Sequence, residues 1–265
     1  MTVATGVAGQ PVAHSLSPLI HGAWIRATGL DAVYDRYDPP DVEGFRALIE
    51  RGRRGELRGL NVTAPFKAEA LAMADTATAT ARICGSANLL LFVDGRITAD
   101  STDGTGLMAA LAEQAPDLDV RNQTVVVLGA GGAARAAVAA LMAAGAGVSV
   151  LNRTRARAEG LVAELGATVA GPAALEQAIL VVNALSVAPD IDLSVLRDDA
   201  VLMDMTYRPL TTPFLVAGRA RGLTVVDGLA MLIGQARPSF RALFDMEPPA
   251  VDVRCLALAA LDEVA

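Results

Sequence analysis

Hydrophobic and polar positions follow two different rhythms along the chain. In the second stretch, short apolar runs alternate with segments of helical spacing. Strands are predicted at 125–128, 148–151, 167–170, 180–184, 201–205 and 224–226, and the clearest crossover helices at 133–144, 155–165 and 213–221. Strands that read as unbroken Val, Leu and Ala runs are covered by helices on both faces, which predicts an α/β doubly wound parallel sheet. The first stretch is more varied. Strands are expected at 2–8, 32–37, 57–63, 89–93 and 96–99, with Asp94-Gly95 as a tight hairpin turn. Helices are expected from Pro18, over 42–50, from Pro65, over 76–84 and over 105–114, the last capped by residues 100–104. The chain closes with two helical segments, 228–244 and 251–264, which have no strand after them and are expected to return and pack on the first half. An edge position for the strand at 2–8 would let it pair with a second copy, so a homodimer is the assembly considered.

The stretch Val125-Val126-Val127-Leu128-Gly129-Ala130-Gly131-Gly132-Ala133-Ala134 joins a buried strand to a helix through glycines. Gly129 allows the tight turn, Gly131 lets the backbone approach a pyrophosphate, and Ala134 takes the small position where helix meets strand. Amides at the helix start then face the phosphates. In an NAD site an acidic residue about 20 residues further on binds the ribose 2′-hydroxyl. Here residues 152–157 read Asn-Arg-Thr-Arg-Ala-Arg, and the next acid is Glu159. One reading is a basic helix start with solvated arginines. The other is a 2′-phosphate held by charge-assisted hydrogen bonds, and basic residues opposing the helix dipole favour it, so the expected cofactor is NADP.

Three places in the first stretch carry further candidate chemistry. Ser17 reads as the N-cap of the helix from Pro18, but Ser15 needs another explanation, and two hydroxyls beside a helix N-terminus also make a carboxylate site. Lys67 falls in the first turn of a helix, where the dipole disfavours a cation, which favours a functional role over a solvated surface lysine. Asp103, before Gly-Thr-Gly, is by default a cap.

Composition narrows the classes. Hydrophobic content is 53% and charged content 19%, which is not a disordered chain. The formal charge of −7 argues against nucleic acid and anionic membrane as partners. No apolar run is long enough to span a bilayer, and the N-terminus lacks a basic signal region. Cys84 and Cys255 have no metal spacing and read as thiols in a reducing cytoplasm, so a cytoplasmic location is expected. No metal cluster is visible, since His14 and His21 are the only histidines.

With these pieces placed, nearly the whole chain resembles the shikimate dehydrogenase family, on several motifs in the right order. The family's Gly-x-Pro-x-x-His-Ser-x-Ser-Pro motif is matched by Gly9-Gln10-Pro11-Val12-Ala13-His14-Ser15-Leu16-Ser17-Pro18. Asn61-Val62-Thr63-Ala64-Pro65-Phe66-Lys67 matches Asn-Val-Thr-x-Pro-x-Lys, and Ser101-Thr102-Asp103-Gly104 resembles Asn-Thr-Asp-Gly. Gly85-Ser86-Ala87-Asn88 stands at the substrate asparagine turn, and Gly129–Ala133 with Asn152–Thr154 match the nucleotide motifs. Tyr207 and Pro209 match Tyr-x-Pro, and Met231, Leu232 and Gln235 match Met-Leu-x-x-Gln. The resemblance implies reversible, NADPH-dependent reduction of 3-dehydroshikimate to shikimate, in aromatic amino acid biosynthesis. It implies catalytic Lys67 and Asp103, and substrate-binding Ser15, Ser17, Asn61, Thr63, Asn88, Tyr207 and Gln235. It places the cofactor at Gly129, Ala130, Gly131, Gly132, Ala133, Asn152, Arg153, Thr154, Arg157, Met205 and Gly228. It also implies a Rossmann domain over 104–228 and a smaller α/β substrate domain built from both chain ends, 1–103 and 229–265, with the active site in the cleft between them.

The departures are Gly22, Leu89, Ser101, Leu185, Ala236 and Arg237, where the family commonly has other residues. Several lie beside substrate or nicotinamide, so quinate or an amino analogue stands as an alternative substrate. Two further readings are a methylenetetrahydrofolate dehydrogenase and a non-catalytic NADPH-binding regulator. The paired serines oppose the dehydrogenase of folate, and retention of both Lys67 and Asp103 opposes the regulator. Oxidising a secondary alcohol needs a group to take the hydroxyl proton while hydride leaves to the nicotinamide. Lys67 is expected to be the main acid/base, with Asp103 orienting it and binding a substrate hydroxyl, the two titrating jointly as an ion pair. Tyr207 is expected to bridge substrate and nicotinamide.

Overall fold

The N-terminal apolar run becomes strand β1 (Val3–Ala8), and it lies inside a sheet rather than at its edge. A computed structural model describes residues 2–262 and divides the chain into two units, Met1–Thr102 with Ala236–Ala265, and Asp103–Gln235. In the first unit the elements run β1, α1 (Ser17–Thr28), β2 (Ala32–Tyr37), α2 (Val42–Arg53), β3 (Gly59–Val62), α3 (Lys67–Ala72), β4 (Thr76–Ala77), α4 (Ala79–Cys84), β5 (Leu89–Val93) and β6 (Arg96–Asp100). Strand order is β2-β1-β3-β5-β6-β4. β1 is parallel to both β2 and β3, and β5 runs antiparallel to β3 and β6. With both its edges paired, β1 offers no template to a second chain, and the case for a homodimer through it falls away. One face of this sheet buries Ala8, Leu60, Val62, Leu90 and Ile97 against Phe45 and Ile49 of α2.

The hairpin turn is as expected. Asp94 and Gly95 both have positive φ, 50° and 75°, as a two-residue turn matching strand twist requires. Three other local expectations shift. α1 begins at Ser17 with Leu16 as N-cap and no side-chain cap, so Ser17 is a helical residue and not the cap. The helix expected over 76–84 is split. Thr76–Ala77 pairs with β6, the Thr76 and Thr98 hydroxyls lie 3.0 Å apart, and Thr78 caps the remaining helix by accepting from the Ala81 amide. α3 starts two residues after Pro65, at Lys67.

The second unit holds α5 (Asp103–Gln114), β7 (Thr124–Leu128), α6 (Gly132–Ala143), β8 (Gly147–Leu151), α7 (Arg155–Leu165), β9 (Thr168–Val169), β10 (Leu180–Asn183), β11 (Val201–Asp204), α8 (Pro213–Ala220), β12 (Thr224–Val226) and the first part of α9 (Gly228–Phe244). Asp103 is thus the first residue of α5 rather than a cap for a helix from 105. All strands are parallel, in the order β12-β11-β10-β7-β8-β9. Successive residues of β7 point to opposite faces, and both faces are covered: Val125 and Val127 pack with Ala134 and Leu141, Val126 and Leu128 with Leu202 and Phe214. The order reverses between β7 and β10, so their carboxyl ends flank the crevice where open α/β sheets bind ligands.

From Ala236 on, α9 belongs to the first unit, where α10 (Val253–Asp262) packs against α1. The helix expected over 251–264 begins at Val253, and its residues 263–264 lie outside the described residues.

Candidate active site

Ser15 and Ser17 stand where the chain enters α1. Ser15 Oγ accepts the Ser17 amide at 3.3 Å, and Arg36 donates to the Ser15 carbonyl at 2.8 Å. α1 has no acid in its first turn and no side-chain cap, so its leading amides and the Ser15 hydroxyl proton are suited to a carboxylate. Ser17 is buried, and its hydroxyl lies beside that of Tyr34. Burial pushes the Tyr34 phenol upward, which keeps it protonated.

Asn61, on β3, is held from three sides. Its Oδ1 accepts from the Tyr34 hydroxyl at 2.8 Å, and its Nδ2 donates to the Asn88 carbonyl at 3.0 Å and to Ser239 Oγ at 2.9 Å. Both amide hydrogens are therefore committed, which leaves Asn61 an acceptor lone pair for a ligand. Asn88, 2% exposed, donates from Nδ2 to Thr102 Oγ1 at 3.0 Å and accepts the Thr102 amide at 2.8 Å. Ser239 Oγ lies 3.3 Å from Thr102 Oγ1. Asn61 and Asn88 thus share one network with Tyr34, Thr102 and Ser239, and Ser17 stands beside its Tyr34 end. Sequence reasoning missed Tyr34 and Ser239 altogether; only Thr102 had a local signal, as part of a motif.

Thr63 follows β3. Its amide donates to Ala8 and its carbonyl accepts the Phe66 amide, which closes the turn into α3. Lys67 opens α3, half-buried, and its carbonyl accepts the Ala87 amide at 2.9 Å. That bond ties the Lys67 turn to the Ala87-Asn88 segment.

In the second unit, Gly129 follows β7 with φ +111°, in a region that disfavours any side chain. A Cβ there would lie 3.1 Å from Leu185 Cδ2. Gly131 is different. It caps α6 in an extended conformation, φ −92° and ψ −172°, and a Cβ on Gly131 or Gly132 would meet nothing within 4 Å. Packing does not demand glycine at these two places; its effect is to leave the α6 amides uncovered. α6 also lacks a side-chain cap and an acid in its first turn. Ala130 and Ala133 flank the glycines, and Ala134 is fully buried where helix meets strand.

At the end of β8, Asn152 Nδ2 donates to the Thr154 carbonyl at 2.9 Å. α7 starts there with Thr154 as N-cap, no capping side-chain bond and no acid in its first turn. Arg155 is drawn along the helix to Glu159 at 2.8 Å, whereas Arg153 and Arg157 are exposed. These residues fit a nucleotide carrying a 2′-phosphate.

Asp103 and Gln235 lie on α5 and α9, which touch backbone to backbone. A Cβ on Gly106 would come within 2.6 Å of the Met231 carbonyl and 2.9 Å of the Gln235 amide. Gly228, at the head of α9, is pressed against the carbonyls of Thr206 and Met205, at 2.5 and 2.7 Å from such a Cβ. The loop after β11 carries Met205 and Tyr207. It is fixed by Asp204, 1% exposed, which accepts from Asn183 Nδ2 at 3.1 Å, Thr212 Oγ1 at 2.8 Å and the Thr206 amide at 2.9 Å. Asp204 is a third residue that sequence reasoning missed. A cavity of about 630 Å³ lined by Gln114, Asp119, Arg197 and Thr224 sits at the amino ends of the strands, opposite the glycine turn.

Comparison with known proteins adds to this geometry. The profile of the shikimate dehydrogenase substrate binding domain matches residues 7–90, and that of shikimate / quinate 5-dehydrogenase matches residues 110–208. A shikimate dehydrogenase (NADP(+)) of Caulobacter vibrioides is 50% identical over 274 residues, covering 98% of this chain and 96% of its own. The crystal structure of shikimate 5-dehydrogenase from Thermus thermophilus in complex with NADP(H) and shikimate superposes with a TM-score of 0.90 and 36% identity, over 98% of this chain and all of that one (100%). Quinate dehydrogenase from Corynebacterium glutamicum in complex with NAD gives 0.87 at 28% identity, over 97% and 99% of the two chains. With its motifs, its two sheets and these likenesses together, the chain belongs to the shikimate dehydrogenase family.

Proposed function

We propose that this protein is an NADP-dependent shikimate dehydrogenase, interconverting 3-dehydroshikimate and shikimate. The observation that carries the reading is 50% identity along almost the full chain to a shikimate dehydrogenase (NADP(+)), with Lys67 and Asp103 present in the motifs that resemble the family's. The cofactor, when bound, supplies or takes the hydride. The amides of Gly129–Ala133 would hold its pyrophosphate, Asn152, Arg153, Thr154 and Arg157 its 2′-phosphate, and Met205 and Gly228 would flank its nicotinamide. Ser15 and Ser17 take the ring carboxylate. Thr63, Asn61, Asn88 and Gln235 pair with ring hydroxyls, Asn61 through its acceptor, and Tyr207 orients the reacting ring. Lys67 gives a proton to the developing alkoxide during reduction and withdraws it during oxidation, while Asp103 holds a substrate hydroxyl. Cys84 is buried and Cys255 exposed, and two such thiols suit a cytoplasmic setting.

Quinate is the second reading. Ser101, which replaces the family's usual asparagine, is 3% exposed with a hydroxyl that has no partner among the described residues. That is a change in polar satisfaction one residue from Thr102. The acid/base assignment is tested with Lys67→Ala. Turnover should fall by about 10²–10⁴-fold with binding of shikimate and NADP⁺ largely intact. Near-wild-type kcat in the variant would remove Lys67 from the reaction.

A further inference from the structure

β2 is an edge strand on which Tyr34 alone is buried. Its ring stacks on His21 with centroids 4.1 Å apart and planes 7° from parallel. Phenylalanine would fill that space equally well. The phenolic hydroxyl is the added feature, and a buried hydroxyl is costly unless its bonds are made.

The directions of those bonds can be worked out. Asn61 Nδ2 faces two acceptors, the Asn88 carbonyl and Ser239 Oγ, so the amide orientation is set and Oδ1 must point at Tyr34. An amide oxygen only accepts, so the Tyr34 proton is committed to Asn61 at 2.8 Å. The Ser17 hydroxyl lies beside the Tyr34 oxygen, which has no second proton to give it. One buried hydroxyl stands between the serine that begins α1 and the asparagine of β3, and it bonds to Asn61, which in turn bonds to Asn88.

We propose that the Tyr34 hydroxyl is a positioning residue for the ring substrate, setting the Asn61 amide and the Ser17 hydroxyl in one register. The assignment rests on the functional reading above, since Ser17 and Asn61 are substrate groups only in that reading. Without the hydroxyl, Asn61 Oδ1 loses the donor that fixes it and Ser17 loses its polar neighbour. The substrate then meets a site whose carboxylate and ring-hydroxyl ends are no longer set together. The cofactor contacts lie on other residues and are untouched.

The test is steady-state kinetics of wild type and Tyr34→Phe with shikimate and NADP⁺, beside urea unfolding. The wild type must turn over shikimate; if it does not, the functional reading falls and this assignment with it. Given an active wild type, KM for shikimate should rise about 5- to 100-fold in Tyr34→Phe, the range set by one buried polar partner left unpaired. KM for NADP⁺ should stay within about twofold, and kcat should change far less than KM for shikimate. A purely structural role would lower the urea midpoint without this selectivity. An unchanged KM for shikimate, or equal rises for both substrates, overturns the assignment while leaving the functional reading in place. Should Tyr34→Phe fold poorly, Ser239→Ala, which loosens Asn61 from its other side, carries the same expectation.

Discussion

Within the aromatic cluster of Trp24, Tyr34 and Phe240, His21 is 1% exposed, and burial lowers its pKa to about 3. Its Nδ1 has no partner among the described residues, so a proton there would face nothing that accepts it. The unfolded chain binds that proton near the ordinary value of 6.5, and the folded chain only near 3. The contribution is therefore complete above pH 6.5 and is lost progressively as pH falls towards 3. Urea unfolding at about pH 7.5 and about pH 5 should show the wild type losing about 2 kcal/mol more than His21→Phe. Equal losses would mean that His21 takes up its proton inside the fold. At this scale, what the chain discloses depends on how far a side chain reaches. Ser15, Ser17 and Lys67 sit in contiguous motifs and could be singled out directly. Tyr34 and Ser239 could not, because their partner Asn61 lies 27 and 178 positions away.

The elements differ in how their borders are set. The strands of the parallel sheet are apolar on both faces, and their positions follow from hydrophobicity alone, as β7 and β10 illustrate. Borders that depend on pairing do not. Thr76–Ala77 is strand only because β6 lies beside it, and β1 is interior only because both β2 and β3 choose it. The turn from β7 into α6 separates two uses of glycine. Gly129 serves the backbone, so Gly129→Ala should cost about 1–3 kcal/mol in urea unfolding through its φ of +111°. In the proposed reading Gly131 serves the ligand, so Gly131→Ala should leave stability within about 0.5 kcal/mol and weaken NADP⁺ binding by about tenfold or more. The reverse pattern would contradict this division of roles.

Taken whole, the molecule builds two six-stranded sheets from one chain, and the sequence discloses them unequally. All six strands of the doubly wound sheet are legible, since each strand–helix step repeats one pattern. The strand order of the mixed sheet is not, because it is decided by pairings far apart in sequence. The family could be recognised because its motifs fall at the ends of strands and starts of helices, where chemistry rather than packing dictates the residue. What the motifs leave open is selectivity, since Ser101 and its neighbours depart from the common pattern. The most direct measurement is the initial rate of the wild type with shikimate and with quinate, each with NADP⁺ and NAD⁺. Shikimate with NADP⁺ should give kcat/KM about tenfold or more above every other pairing, with the arginines at α7 setting the preference for NADP⁺. Preference for quinate or NAD⁺, or no turnover with any pair, would contradict the account.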